Sequence, residues 1–142
     1  MRENGQKSAN AAGTARPTKA PSKRCLIVDE SRVIRAVSRK ILESRGYEVE
    51  EAENGNDGLS ACGKWHPDAV LIEWQLPEMS GIEFIRQLPA EVGPRMPKVI
   101  FCSSEAGIES IREAVQAGAA EYIMKPFDSD IFDSKLLLAG LT

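Results

Sequence analysis

From Cys25 onward the chain alternates short apolar runs with stretches in which apolar residues recur every three or four positions. Unbroken apolar runs suit strands covered on both faces, and the longer recurrence suits helices that bury one stripe. The first run, CLIVD from Cys25 to Asp29, ends on a carboxylate. Ser31 can cap a helix through about Ser44, with Val33, Ile34, Val37, Ile41 and Leu42 at helical spacing. Gly46 stops that helix, and Tyr47 to Ala52 reads as a second strand. Asn54 caps a second helix to about Trp65, ended by Pro67 because the residue before a proline avoids the helical region. Asp68 to Glu73 (DAVLIE) is a third strand that also closes on a carboxylate. Pro77 and Gly81 break the chain into a loop before a short helix marked by Ile82, Ile85 and Leu88. Pro89, Gly93, Pro94 and Pro97 read as a loop into a fourth strand, KVIFCS from Lys98 to Ser103. Ile108, Ile111 and Val115 line one face of a fourth helix that ends at Gly118, and Ala120 to Met124 is a fifth strand. Lys125 and Pro126 form a turn, and a last helix from about Ser129 to Ala139 offers Ile131, Phe132, Leu136 and Leu137 for burial.

Strands alternating with helices in this way predict an α/β fold, a doubly wound five-stranded parallel sheet of order 2-1-3-4-5 with right-handed crossovers. That order brings the carboxyl ends of the first, third, fourth and fifth strands to one edge, where open sheets place their ligands. Asp29, Glu30, Glu73, Ser103 and Lys125 meet there. Crowded carboxylates repel unless a positive charge lies between them. A divalent cation with oxygen ligands, Mg²⁺ above all, answers that need, with Asp29, Glu30 and Glu73 as its ligands. Lys125 adds a compact positive charge and Ser103 a hydroxyl donor, which together suit a phosphoryl group held by a metal.

Charge divides the chain into two parts. Residues 1–24 hold 6 of the 18 Lys and Arg but 1 of the 21 Asp and Glu, and have almost no large apolar side chain. They are expected to form a disordered basic tail, ahead of a domain spanning residues 25–142. The domain keeps 12 basic and 20 acidic residues, a balance that argues against nucleic-acid binding. Three widely spaced cysteines, Cys25, Cys62 and Cys102, suggest neither a disulfide framework nor a zinc site, but buried thiols in a reducing cytoplasm. No apolar run approaches membrane-spanning length, so no stable membrane association is expected.

With these residues in place the sequence resembles the receiver domains of bacterial two-component response regulators, in particular single-domain, chemotaxis-type members. LIVDES at Leu26 to Ser31 looks like the family's first strand with its acidic pair, so the resemblance gives Asp29 and Glu30 a metal-binding role. Ser103 in FCSSE matches the family's hydroxyl position, Tyr122 its aromatic switch and Lys125-Pro126-Phe127 its lysine–proline signature, usually with a cis bond before the proline. The resemblance implies a non-enzymatic signalling module. Its partners would be proteins: a histidine kinase, a phosphotransfer protein, a flagellar motor switch or another regulator.

Receivers carry Asp where this chain has Glu73, and Trp74, Pro77 and Gly81 hold the register. That Asp takes a phosphoryl group from a kinase's phosphohistidine. One added methylene moves the carboxylate outward by about 1.5 Å, and in-line transfer loses on the order of a hundredfold for errors of about 1 Å. Two outcomes are expected to compete. Glu73 pairs with Lys125, draws Ser103 and Tyr122 inward and biases the face of the fourth helix, fifth strand and fifth helix toward partner binding; or the domain is an unresponsive scaffold. An ion pair at a wet edge, worth about 0 to 1 kcal/mol, favours a partial bias. The expected function is therefore a phosphorylation-independent protein-binding receiver. A conventional phosphoryl-accepting regulator and a cyclic-dinucleotide effector are the alternatives, although Arg86, Arg95 and Arg112 are too scattered to favour the latter. Arg32, Arg35 and Arg39 form a basic stripe on the first helix, read either as a docking surface or as a solvated face.

Overall fold

The computed structural model describes residues 23–104 and 108–141. Residues 1–22, nearly all of the expected tail, lie outside that range. Strands β1 (Arg24–Val28), β2 (Glu48–Ala52), β3 (Ala69–Glu73), β4 (Lys98–Ser103) and β5 (Glu121–Met124) alternate with helices α1 (Arg32–Ser44), α2 (Gly55–Trp65), α3 (Gly81–Val92), α4 (Ile108–Gln116) and α5 (Ser129–Leu138). All strands pair in parallel in the order β2-β1-β3-β4-β5, which is the predicted 2-1-3-4-5 arrangement. Register places Val28 beside Ile72 and Glu73 beside Cys102, so the strand ends that carry the candidate chemistry lie side by side.

Successive strand residues face opposite sides, and each side has its own core. Leu26, Val28, Val70, Ile72, Val99, Phe101 and Tyr122 pack with Leu59, Phe84 and Leu88 from α2 and α3. Cys25, Ile27, Leu71, Ile100, Cys102 and Ile123 pack with Leu42, Phe132 and Leu136 from α1 and α5. All three cysteines are free and buried, and burial pushes each thiol up to about 12. Ser31, Asn54, Ser80 and Asp128 cap α1, α2, α3 and α5 through side-chain oxygens, each replacing a hydrogen bond that a helix start leaves unmade. Among the described residues no helix is long and apolar enough to cross a membrane.

Several expectations are corrected. Arg24, assigned to the tail, begins β1, and its guanidinium donates to the Trp65 carbonyl at 2.7 Å. Pro89 lies inside α3, not in the loop after it. The proline withholds one helical hydrogen bond, but Leu88 and Val92 stay buried in the core on either side of it and Gly93 N–H donates to the Pro89 carbonyl, so the helix runs on. On α1 the buried stripe is Arg35, Ser38 and Leu42, while Val33 and Val37 are exposed. Val115, Ile131 and Leu137 are likewise exposed, and Ala114 fills the place under α4. The side chain of Ile108 lies outside the described residues.

Candidate functional site

The carboxyl edge of the sheet assembles around one ammonium group. Lys125, just beyond β5, places Nζ 2.8 Å from Asp29 Oδ2 and 2.5 Å from Glu73 Oε1, so two strand-end carboxylates share one cation. The side chains are largely withdrawn from water, at 16% exposure for Lys125, 12% for Glu73 and 4% for Asp29. Burial alone would lower the Lys125 pKa, but the hydrogen bonds and charges of Asp29 and Glu73 outweigh it and hold the pKa above the usual lysine value. The pair is therefore not at a wet edge. Removing one partner from such a site leaves an uncompensated charge and costs more than the 0 to 1 kcal/mol of a surface pair.

The remaining carboxylate oxygens are also engaged. Asp29 Oδ1 accepts from Ser31 N–H at 2.9 Å, and Glu73 Oε2 from Gln75 N–H at 2.9 Å. Glu30 is exposed. The expected crowd of three acids is thus two acids and a lysine, and among the described residues no group of three or more His, Cys, Asp or Glu side chains is placed to hold a metal ion. As arranged, Lys125 supplies positive charge between Asp29 and Glu73, and these two carboxylates are the groups at this edge that would hold the expected Mg²⁺.

Ser103 at the end of β4 is 1% exposed and Tyr122 on β5 6% exposed, so both expected switch positions lie inside the fold beside this edge. Trp74 covers the loop after β3, with its ring 4.8 Å from Phe101 and 6.4 Å from Tyr122. Gly81 allows that packing, since a Cβ there would stand 2.6 Å from the Phe101 ring and 2.8 Å from the Trp74 ring. The peptide between Lys125 and Pro126 is cis, as the resemblance implied.

The arginine stripe of α1 is not a solvated face along its whole length. Arg35 is buried, donating to the Asp29 carbonyl at 2.7 Å and to Glu51 at 2.9 Å, and Arg39 donates to Glu51 at 2.5 Å and Glu43 at 2.8 Å. Arg32 is exposed. Sequence reasoning missed Arg35 as a support of Asp29, although its place four residues after the cap Ser31 put it on the first turn beside that carbonyl. Gln75 was missed too, because its contact uses a backbone N–H.

A second feature lies along α4, β5 and α5. Val115, Met124 and Ile131, all exposed, line a groove of about 460 Å³ with Tyr122 and Pro126. The Glu121–Lys135 ion pair, at 2.9 Å, sits in it.

The comparisons agree with this fold. Residues 25–136 match the response regulator receiver domain, and the chain belongs to that family. It is a CheY-like receiver of two-component signalling. The chain is 37% identical over 106 residues to the chemotaxis protein CheY of Thermotoga maritima, covering 74% of this chain and 87% of that one. It is 36% identical over 111 residues to CheY of Bacillus subtilis, covering 75% and 88%. Among solved structures, chemotaxis response regulator CheY4 of Vibrio cholerae superposes with a TM-score of 0.77 at 26% identity, covering 84% of this chain and 99% of that chain.

Proposed function

We propose that this receiver signals by binding a protein, without phosphoryl transfer, and that Glu73 stands at the family's phospho-acceptor position. The observation that carries this reading is the short contact of Glu73 Oε1 with Lys125 Nζ. The longer side chain delivers a carboxylate to the lysine that would otherwise meet an aspartyl phosphate, and it does so from a site mostly closed to water. A bound phosphate would bring more oxygens and more charge than Glu73 does, so the mimicry is partial. Ser103 and Tyr122 are both buried, which supports an inward arrangement of the two switch positions. The groove over α4, β5 and α5, with exposed Val115, Met124 and Ile131, supplies apolar area for a partner, and the Glu121–Lys135 pair adds polar contacts. A receiver of this kind works by contact and is not an enzyme. Chemotaxis-type output, as in the CheY relatives, is the closest precedent for such a partner.

The test is intact-mass measurement after incubation with acetyl phosphate and Mg²⁺. The wild-type chain should gain no phosphoryl adduct, whereas Glu73→Asp, which restores the shorter reach, should gain one. A stoichiometric adduct on Glu73 itself would overturn the proposal in favour of a conventional phosphoryl-accepting regulator.

A further inference from the structure

Glu73 is tied to a loop that is itself fastened at a distant point. The segment between β3 and α3 closes on itself: Gly81 N–H donates to the Trp74 carbonyl at 2.8 Å, and Gln75 and Ser80 form an antiparallel bridge. Ser80 and Glu83 form a reciprocal capping box that fixes the exit into α3. Leu76 and Met79 drop into the core, each 7% exposed. Between them Glu78 reaches α2, where its Oε2 accepts from Gly55 N–H at 2.5 Å and from Asn56 N–H at 3.3 Å. These are donors that the start of a helix cannot satisfy internally, and a carboxylate there also meets the positive end of the helix dipole. The approach is close. A Cβ on Gly55 would stand 2.6 Å from Met79 Sδ and 3.2 Å from Glu78 Oε2, so even alanine at that position requires the Met79 side chain to shift.

We infer that Glu78 is a positioning residue for Glu73, latching the loop whose Gln75 N–H donates to Glu73 Oε2 onto the N-terminus of α2. The loop is short and pinned at both ends by hydrogen bonds, so its two carboxylate attachments share one rigid segment. A change at one then alters the other, and the linkage is reciprocal. The latch makes α2 responsive to the state of Glu73, a route separate from the groove over α4, β5 and α5. It holds whether or not Glu73 accepts a phosphoryl group, so it stands apart from the reading above.

The test is amide solvent exchange by NMR on the ¹⁵N-labelled full chain. In Glu73→Ala, the Gly55 and Asn56 amides should exchange at least about fivefold faster, the low end of ordinary coupling between sites. The Asp57 amide, which the Asn54 side chain holds at 2.8 Å without help from Glu78, should keep its wild-type rate. In Glu78→Ala the Gln75 amide should accelerate by a similar factor, Glu78→Gln should restore most of its protection, and the double variant should add little to the larger single effect. Should Glu73→Ala not fold, Glu73→Met, which keeps the length of the side chain but offers Gln75 N–H no oxygen, takes its place with the same expected pattern. Unchanged Gly55 and Asn56 rates in the Glu73 variant would overturn the inference, and so would an Asp57 amide that moves with them, which reports general fraying of the helix.

Discussion

Two charge clusters lie next to each other in this molecule and are built as opposites. At the sheet edge one cation, Lys125, stands between two anions, Asp29 and Glu73. Between α1 and β2 one anion, Glu51, stands between two cations, Arg35 and Arg39. The contact distances are alike, at 2.8 and 2.5 Å in the first and 2.9 and 2.5 Å in the second. The environments are not: the Arg39 side chain is 36% exposed and that of Glu51 27%, against 4% for Asp29. An ammonium is a point charge that can shift between acceptors, whereas a guanidinium offers donors in a fixed fork. The lysine cluster is therefore the adaptable one and the arginine cluster the splint. Asp29 belongs to both, through Oδ2 to Lys125 and through its backbone carbonyl to Arg35. The comparison shows how a receiver can keep a movable charge at its ligand edge while a rigid network holds the backbone beneath it.

The largest effect is expected where the movable cation is removed. Lys125→Met leaves Asp29 and Glu73 facing each other without it, and should cost about 3 kcal/mol in urea unfolding at neutral pH. The pH profile sharpens this. Because the folded Lys125 pKa lies above its unfolded value of 10.5, its stabilisation is complete below that value and is lost as pH rises through the folded one. The wild-type chain should weaken in that alkaline window, and Lys125→Met should lack this part of the loss.

Cutting the link between the clusters comes next. Arg35→Met deprives the Asp29 carbonyl of a buried donor and should cost about 2 kcal/mol, read by the shift in urea midpoint. Arg35→Lys should not recover it, because a single ammonium cannot reproduce the fork that spans Asp29 and Glu51.

The smallest effect belongs to the exposed arm of the splint, where Arg39→Ala should change stability by no more than about 1 kcal/mol. Its sign on the acid side is fixed. Hydrogen bonds from Arg39, then Arg35, outweigh burial and hold the Glu51 pKa below the usual 4.5. That stabilisation is present above 4.5 and lost as pH falls through the lower folded value. The acid loss should shrink in Arg39→Ala, which a comparison of unfolding midpoints on either side of that window would detect.

Much of this was legible in the chain itself. CLIVD, DAVLIE and KVIFCS are apolar runs of the length and composition of strands covered on both faces, and the caps Ser31 and Asn54 and the helix end after Trp65 needed only local chemistry. Amphipathic spacing was less reliable. On α1 the valines Val33 and Val37 looked like core, yet the sheet takes Arg35, because Glu51 and the Asp29 carbonyl satisfy its charge. Pro89 looked like a breaker, but burial of Leu88 and Val92 outweighed one missing hydrogen bond.

What the sequence determined alone was the order of elements and the identity of the side chains at the strand ends, since apolar periodicity and caps are properties of neighbours along the chain. Which of those side chains touch was decided by the tertiary structure. Lys125 lies 96 residues from Asp29 and 52 from Glu73, and Glu78 lies 23 from Gly55. Only the parallel register and the path of the β3–α3 loop set those atoms within bonding distance, and with them whether the acids at this edge meet a lysine or each other.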